Sequence, residues 1–344
     1  MFVLRPVKKH DLDDLMILAE VMAPGITTFP PNAEVLQNKI LKSVIAFESP
    51  LSEVDTNRDF LLVLEDIDKN RVVGTTGIYS HIGQDLPFYS FKREIHTLRT
   101  QLPGRDKLTE VDSTTLHLTN DLEGGTEVGT LLLHPDYNGL GLGKLLAKAR
   151  YLLIRSHSQL FTEPVFAELR GWSDEDNISP FWESIGRHFF AGMDYSTADY
   201  LSATTDKQFI ADLFPRYPIY EDLLPGQARE CINKANRKGQ AALEMLYKEG
   251  FRDDGYVDIF DAGATVVANF DELETYKHAN EYKVSPKAPQ DDSTRALIAN
   301  SDLANFRVTI TTDYQLIDNC LFLTDQHKEL LKLSPGNQAW LCQF

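Results

Sequence analysis

The chain has 344 residues, of which 42% are hydrophobic and 25% charged, a composition typical of a globular protein with room for two domains. Its net charge of −17 gives no basic surface for a nucleic acid and suits a cationic substrate better. No apolar run approaches the roughly 18 residues of a membrane span, and the N-terminus lacks the apolar core of a signal peptide. We therefore expect a cytoplasmic protein that binds neither nucleic acid nor membrane.

The three cysteines predict structural thiols in a reducing compartment. Cys231, Cys320 and Cys342 are few, odd in number, and lack the paired spacing of a zinc site or a redox motif. On this basis we expect no metal site.

The first 80 residues predict a strand, two helices and a hairpin. The apolar and polar patterns place a strand at 2–4, a helix from Asp11, a loop at 25–32, a helix at 34–47 and paired strands at 60–64 and 72–79. Residues 81–115 show less regular patterns. A second hairpin is predicted from 116–119 and 128–133, around the polar turn 121–126.

The next elements alternate between helix and strand. We predict a helix at 142–156, a strand at 165–169 and a short helix at 181–185. Such alternation indicates an α/β fold, a sheet layered by helices, over residues 1–200.

The remaining chain is expected to form two smaller parts. Residues 201–282 combine helices over 205–250 with strands at 256–260 and 265–268. Residues 283–344 begin with linker composition and continue as a small α/β or barrel-like tail, with strands at 306–310 and 338–342 and a helix capped by Thr324.

The most informative segment is the glycine-rich stretch between a strand and the helix at 142–156. Glycines let backbone amides approach a ligand, and a helix N-terminus adds unpaired N–H groups and partial positive charge. We therefore predict an anion site, most consistent with phosphate, formed by Asn138, Gly139, Gly141, Leu142, Gly143 and Lys144.

Two nucleotide-binding motifs do not fit this stretch. A Walker A loop needs Ser or Thr after its lysine, where this chain has Leu145, and a dinucleotide fingerprint starting at Gly139 needs glycine at Lys144. The spacing of Asn138, Gly141 and Gly143 matches instead the Q/R-x-x-G-x-G/A loop that holds the diphosphate of coenzyme A in N-acyltransferases.

Together with this loop, several motifs resemble the GCN5-related N-acetyltransferase superfamily. The broad similarity rests on Leu4-Arg5-Pro6, Val72-Val73-Gly74, the Asn138 loop and 177–186. A closer similarity, to the arginine N-succinyltransferase family, covers residues 1 to about 265 and rests on Thr27-Thr28-Phe29-Pro30, Thr115-Leu116-His117-Leu118, Ala167-Glu168-Leu169-Arg170-Gly171, Ser179-Pro180-Phe181-Trp182-Glu183-Ser184, Pro218-Ile219-Tyr220, Glu249-Gly250-Phe251 and 256–261.

The resemblance implies a fold and an activity. The fold would be a mixed, largely antiparallel sheet flanked by helices, with a second similar or helical half. The activity would be transfer of succinyl from succinyl-CoA to the α-amine of L-arginine in arginine catabolism, by an enzyme that works as a homo- or hetero-oligomer. Two alternatives stay open: another basic amine as acceptor, or a non-catalytic CoA-binding subunit.

The resemblance also implies roles for individual residues. Leu131 corresponds to the family's acyl-CoA contact, and Leu132 and Leu133 continue its strand, whose backbone would pair with the pantetheine arm and supply an N–H to the oxyanion. Glu127 stands where many such enzymes keep a carboxylate that assists deprotonation of the amine.

One departure from the family concerns the proton donor. Where the arginine succinyltransferases have a histidine before the helix that leads to Gly250, this chain has Asn236, which carries no ionisable proton. His117, on a predicted strand, and His188, beside the predicted helix at 181–185, are candidate replacements.

Substrate contacts are predicted from charge and position. Glu168 and Arg170 could recognise the guanidinium of arginine and the carboxylate of succinyl. Further candidate carboxylates for the guanidinium are Asp194, Asp199, Asp258 and Asp261. Thr27, Thr28 and Tyr89 stand where related enzymes often close over the acceptor amine.

Overall fold

In the computed structural model, which describes residues 1–22, 29–51, 56–85, 87–204, 208–291 and 293–343, the strands join into one continuous 16-stranded sheet. Neighbouring strands run antiparallel except in two pairs. Helices pack on the sheet, which gives the mixed α/β fold with a largely antiparallel sheet that the sequence predicts.

The N-terminal part of the chain supplies six strands and two α-helices among the residues that the structure describes. They are β1 (Phe2–Pro6), α1 (Leu12–Met22), α2 (Ala33–Glu48), β2 (Arg58–Asp66), β3 (Arg71–Ser80), β4 (Ser90–Thr100), β5 (Thr109–Thr119) and β6 (Thr126–Leu133). In the sheet β1, β2, β3 and β6 lie side by side, whereas β4 and β5 lie near one edge. The β2–β3 hairpin is confirmed, with Phe60 opposite Ile78. Asn32 caps α2 by accepting hydrogen bonds from the backbone N–H groups of Glu34 and Val35, which fixes where this helix begins.

The middle of the chain forms further helices and further strands of the sheet. The elements are α3 (Leu142–Ser156), β7 (Val165–Glu168), α4 (Pro180–Ser184), α5 (Gly186–Phe189), α6 (Tyr195–Thr204), α7 (Gln208–Leu213), β8 (Ile219–Tyr220), α8 (Gly226–Cys231), α9 (Gln240–Glu249), β9 (Arg252–Val257), β10 (Ala264–Ala268) and α10 (Glu274–His278). The amphipathic α3 buries Leu145, Leu146, Leu152 and Leu153 against the sheet, which fixes the position of its N-terminus.

The last part of the chain forms β11 (Asn280–Val284), β12 (Ala296–Asn300), β13 (Val308–Thr311), β14 (Tyr314–Ile317), β15 (Cys320–Leu323), α11 (Asp325–Leu330) and β16 (Gln338–Gln343). Thr324 caps α11 as predicted, because its hydroxyl accepts from the backbone N–H of His327. This part continues the main sheet, since Leu4 of β1 pairs with Val308 of β13. The predicted boundary at residue 283 falls within β11, which pairs with β15 and β16.

One prediction about the middle strands is wrong, and one stretch for which the sequence predicts no element forms strands. Residues 81–115 contain most of a long antiparallel hairpin, β4–β5, in which Ser90 pairs with Thr119 and Thr100 with Thr109. Much of this hairpin is exposed on both faces, so it lacks the apolar alternation by which strands are recognised. The predicted 116–133 hairpin does not form, because β5 pairs with β4 and β8, whereas β6 pairs with β3 and β7.

The three cysteines have free thiols, of which Cys231 and Cys342 are buried. Among the described residues, no helix combines the length and the apolar character needed to cross a membrane.

Candidate functional site

The centre of the sheet contains a parallel strand pair that separates after two residues. Thr126 and Glu127 of β6 pair with Val165 and Phe166 of β7, and the pairing goes no further. On its other side β6 has a bulge, because Thr75 pairs with Leu132 and Gly77 with Gly129, so that Thr130 and Leu131 face the single residue Thr76. The gap that opens beyond Glu127 exposes backbone that another extended chain could pair with.

The glycine loop leads directly into α3. Gly141 caps the helix in a left-handed conformation (φ 76°), which favours glycine, and its carbonyl accepts the first helical hydrogen bonds from the N–H groups of Lys144 and Leu145. The N–H groups of Leu142 and Gly143 precede these bonds. A Cβ built on Gly143 would meet nothing within 4 Å, so the helix N-terminus is accessible to a ligand.

A cavity of about 1110 Å³ adjoins both features. Of the residues predicted from sequence, its lining includes Glu127, Leu131, Leu132, Lys144, Glu168, Arg170 and Asn236. The strand gap, the first turns of α3 and the predicted acceptor residues therefore share one space.

Exposed basic side chains line the part of this cavity formed by α3, α9 and the segment before α9. Lys144 lies on α3, Arg237 and Lys238 immediately precede α9, and Lys248 lies near its end; all four are exposed. Arg295 approaches the glycine loop from the C-terminal part of the chain: a Cβ on Gly141 would lie 3.1 Å from its Nη1 atom. In a chain of net charge −17, this part of the cavity favours an anion.

Another part of the cavity lining contains a buried network of acidic side chains around Arg170. The Arg170 guanidinium pairs with Asp199, donates to the Tyr195 hydroxyl at 2.8 Å and lies 3.6 Å from Asp261. The Tyr195 hydroxyl in turn donates to Asp261 at 2.8 Å. Burial raises the pKa of Tyr195 above its ordinary value, so the phenol keeps the proton that it donates.

Asp258 is a third carboxylate in the same part of the lining. Its Oδ1 atom accepts from the N–H groups of Phe260 and Asp261, at 2.7 and 2.9 Å. Burial raises the pKa of Asp258 to about 8, and the negative charge of Asp261 adds to this rise. Asp199 and Asp261, the two carboxylates paired with Arg170, outnumber its single guanidinium, and a cation at Asp258 would relieve the excess negative charge.

Asn236 lies in the cavity wall and is already engaged in local hydrogen bonds. Its side-chain Oδ1 accepts from the N–H of Gly239 at 2.8 Å, just before α9, and its own N–H donates to the carbonyl of Arg170 at 2.7 Å. The residue thus connects the start of α9 to the end of β7.

Glu127 lies where the parallel strands separate. Its Oε1 would be 3.5 Å from a Cβ on Gly129, so the carboxylate extends along the strand beside the bulge. The pKa of the neighbouring Lys39 is raised above its ordinary value. Burial alone would lower this pKa, but the charges of Tyr79, Asp59 and Glu127 outweigh that effect. Lys39 is thus a cation whose field reaches Glu127.

Other predicted residues lie away from the cavity lining. Leu133 packs against the main core, Tyr89 packs against the core formed around Trp182, and His117 lies on β5. Asn138, Gly139, Gly141, Leu142 and Gly143 form the loop at the start of α3 beside Lys144. Thr27 and Thr28 lie outside the described residues.

Sequence reasoning did not select Tyr195 or Arg295 as site residues, and it named Asp258 only as one of several carboxylates that could contact the substrate. The only sequence signal for Asp258 was a pair of aspartates flanking a predicted strand, and many solvated strands share that pattern. Arg295 lies more than 150 positions from the glycine loop, so only the fold brings the two together.

Comparisons with known proteins converge on one family. A family model described as arginine N-succinyltransferase beta subunit matches residues 2–275. The chain is 36% identical to an arginine N-succinyltransferase of Photorhabdus laumondii, over 99% of this chain and 98% of that protein. It is 38% identical to the arginine N-succinyltransferase subunit beta of Pseudomonas aeruginosa, over 89% and 88%. The solved structure of arginine/ornithine succinyltransferase subunit AI from Pseudomonas aeruginosa superposes with a TM-score of 0.85, at 30% identity, over 100% and 98%.

Proposed function

This chain belongs to the arginine N-succinyltransferase family, and from that premise we propose that it transfers succinyl from succinyl-CoA to the α-amine of L-arginine in arginine catabolism. The observation that carries the proposal is the division of charge in the cavity. One part of the lining offers exposed cations and helix N–H groups, and another offers buried carboxylates. An anionic acyl donor and a cationic acceptor match these two parts.

The donor side fits coenzyme A in charge and in shape. The N–H groups of Leu142 and Gly143 would hold the diphosphate, with Lys144 and Arg295 as cations beside it. The gap beyond Glu127 would take the pantetheine arm as an additional strand along Leu131 and Leu132. The accessible space at Gly143 is the structural feature that makes this fit possible.

The acceptor side fits a basic amino acid. Asp258 would pair with the acceptor's cationic group, because its half-buried carboxylate feels the negative charge of Asp261 and gains from a positive partner. Arg170 is paired with both Asp199 and Asp261, and their negative charges reduce its repulsion of an incoming cation. Glu168, also in the lining, adds a further carboxylate on β7.

The reaction needs a neutral amine and a stabilised oxyanion. The amine nitrogen forms a bond with the thioester carbon, the carbon–sulfur bond breaks, and CoA leaves as a thiolate that takes up a proton. A backbone N–H at the Thr130–Leu131 bulge would donate to the carbonyl oxygen, a contribution of about 3 kcal/mol in comparable sites. Glu127, at the mouth of the gap, would accept the amine's proton directly or through water.

Asn236 favours a second candidate function. Its side chain caps the turn before α9, and an amide cannot transfer a proton at neutral pH. If the family reaction requires the histidine at this position, the chain would bind acyl-CoA without turning it over, as a non-catalytic subunit.

We further propose that the chain works in an oligomer in the cytoplasm. Two of the relatives are named as subunits of their enzymes, which supports assembly with itself or with a related chain. Its substrates would be small molecules, with arginine, ornithine or another basic amine as acceptor.

Thiol release distinguishes the two functions. The purified chain is mixed with succinyl-CoA, with or without arginine, and free CoA is followed with a thiol reagent; acetyl-CoA and ornithine serve as comparison substrates. Arginine-dependent release from succinyl-CoA is expected. Binding of succinyl-CoA with no release on any amine would establish the non-catalytic alternative.

The role of Glu127 has its own test. Glu127→Gln should lower kcat about a hundredfold, the scale of general-base catalysis, and leave the Kd for succinyl-CoA unchanged. Glu175→Gln is the matched control, since it also removes a carboxylate from the cavity lining. An unchanged kcat in the Glu127 variant would exclude it as the base.

A further inference from the structure

Three metal-binding side chains meet on one face of the β4–β5 hairpin. Glu94 of β4 lies opposite Thr115 of β5. Side chains two residues apart on a strand share a face, so His96 of β4 and His117 of β5 project from the same face as Glu94. His117 lies outside the cavity lining, and the structure places it beside these two residues instead. The cluster therefore needs an explanation separate from the acyl-transfer site.

The ligand atoms of the three side chains converge. Glu94 Oε2 lies 3.4 Å from His117 Nε2 and 3.9 Å from His96 Nε2. All three ligand atoms fall within 4.8 Å of one another, and in the described part of the chain no other group of three His, Cys, Asp or Glu side chains does this. Two imidazoles and a carboxylate thus surround a single point.

Both imidazoles point their Nε2 atoms inward. The Thr115 hydroxyl lies 3.1 Å from His96 Nε2 and 2.9 Å from His117 Nε2. His96 is about half exposed (49%) and could direct its nitrogen to water instead. The Thr115 hydroxyl can donate to one ring and accept from the other, so it holds both Nε2 atoms near the same point.

We propose that Glu94, His96 and His117 bind a zinc-class transition metal ion. Zinc takes imidazole nitrogen at about 2.0–2.1 Å and carboxylate oxygen at about 2.0–2.2 Å, which in a tetrahedron separates neighbouring ligand atoms by about 3.3–3.5 Å. The observed 3.4 Å matches this spacing, and 3.9 Å needs only a small side-chain rotation. Calcium and magnesium are excluded by the ligand set, since they prefer oxygen ligands alone.

The position of the site indicates what the metal would do. β4 pairs with β9 only at Phe91 and Lys92, and β5 pairs with β8 only at Thr115 and Leu116, so the hairpin beyond them is a two-stranded ribbon. Such ribbons are marginally stable in water. The ion would bind Glu94 and His96 of β4 and His117 of β5, and so join the two strands where the ribbon leaves the sheet. Its fourth coordination position would be open to water.

Zinc binding by the chain without a histidine tag tests the proposal. The protein is stripped with a chelator and dialysed against buffered Zn²⁺, and bound zinc is measured by atomic emission. We expect about one ion per chain, at least tenfold weaker binding in a His96→Ala/His117→Ala double variant, and a zinc-dependent rise of Tm in the unaltered chain alone. Circular dichroism confirms that the variant is folded.

His278→Ala is the matched control. It removes another exposed histidine that lies beside a carboxylate, Glu274, at 3.5 Å, but has no third ligand. Zinc binding should survive this change. The proposal is overturned if the unaltered chain binds zinc no more tightly than the double variant, or if zinc is lost from the His278 variant instead.

Discussion

The two sides of the cavity bind charge in different ways. The donor side relies on main-chain N–H groups at the start of α3 and on exposed cations such as Lys144 and Arg295. The acceptor side relies on buried carboxylates, Asp199 and Asp261, which are connected through ion pairs and hydrogen bonds with Arg170 and Tyr195. Exposed charges act nearly independently and weakly, whereas buried ones act as a unit. Substitutions on the acceptor side should therefore cause large losses of stability or of acceptor binding. Substitutions on the donor side should each weaken CoA binding by a smaller factor.

The largest effect is expected at Asp261. Asp261→Ala removes the acceptor of the Tyr195 hydroxyl and a partner of Arg170, both in a buried setting, and should lower the free energy of unfolding by about 3 kcal/mol. Chemical denaturation measures this. Asp271→Ala, at an exposed aspartate, should change stability by less than about 0.5 kcal/mol. Equal stability of the two variants would contradict the view that the acceptor side is a coupled unit.

Asp258→Asn should separate binding from stability on that same side. Because the folded-state pKa of Asp258 is raised, its ionised form is disfavoured by folding, and a neutral amide at this position should leave the free energy of unfolding unchanged or raise it. Loss of a charged contact worth about 2 kcal/mol should raise the KM for arginine about thirtyfold. Steady-state kinetics at saturating succinyl-CoA give the result. A normal KM would remove Asp258 from the acceptor site.

The raised pKa of Asp258 also predicts a proton exchange. Below about pH 8 the free protein holds a proton on this carboxyl, and a cationic ligand favours the ionised form, so binding should release the proton. Affinity for the acceptor should thus increase as pH rises toward 8 and then level off. Calorimetry of arginine binding at pH 6.5, in two buffers of different ionisation enthalpy, counts the released protons. Asp258→Asn should abolish the release.

On the donor side, Gly143→Asp should weaken CoA binding about tenfold without loss of stability. The added carboxylate has open space and lies in the first turn of α3, where negative charge is favourable to the helix, but it would repel a diphosphate. Gly226→Asp is the matched control, since Gly226 also begins a helix and is also unobstructed. Isothermal titration with CoA compares them. Identical affinities would place the diphosphate elsewhere.

The smallest effect is expected for Arg295→Gln. The side chain is exposed, so its removal should weaken CoA binding only about threefold, and less at high salt. Arg99→Gln, on the β4–β5 hairpin and paired with Glu110, should have no effect. Titrations at two ionic strengths distinguish a screened surface charge from a buried contact.

The same contrast explains which parts were predictable from sequence. Gly141 and Gly143 were recognised because local chain conformation and a following helix determine their role. Asp258 could not be separated from the other candidate carboxylates, because its properties come from its surroundings near Asp261 and Arg170, which only tertiary packing creates. The wrong pairing of residues 116–133 has the same origin, since strands adjacent in sequence need not be adjacent in the sheet.

The strand hairpin around His117 was missed for a related reason. Its outer residues face solvent on both sides, so the alternation that marks a half-buried strand is absent. Glu94 and His96 lay in the stretch that seemed irregular, and their proximity to His117 depends on the register of β4 and β5.

The pairing of Leu4 with Val308 has a consequence for synthesis of the protein. The first strand leaves the ribosome with one of its edges open, and its neighbour on that side follows only after almost the whole chain has been translated. At elongation rates of about 5–20 residues per second, that edge stays unpaired for roughly 15–60 seconds. During this interval the nascent chain exposes a strand able to pair with the wrong partner, so chaperone dependence should concentrate at the N-terminal end.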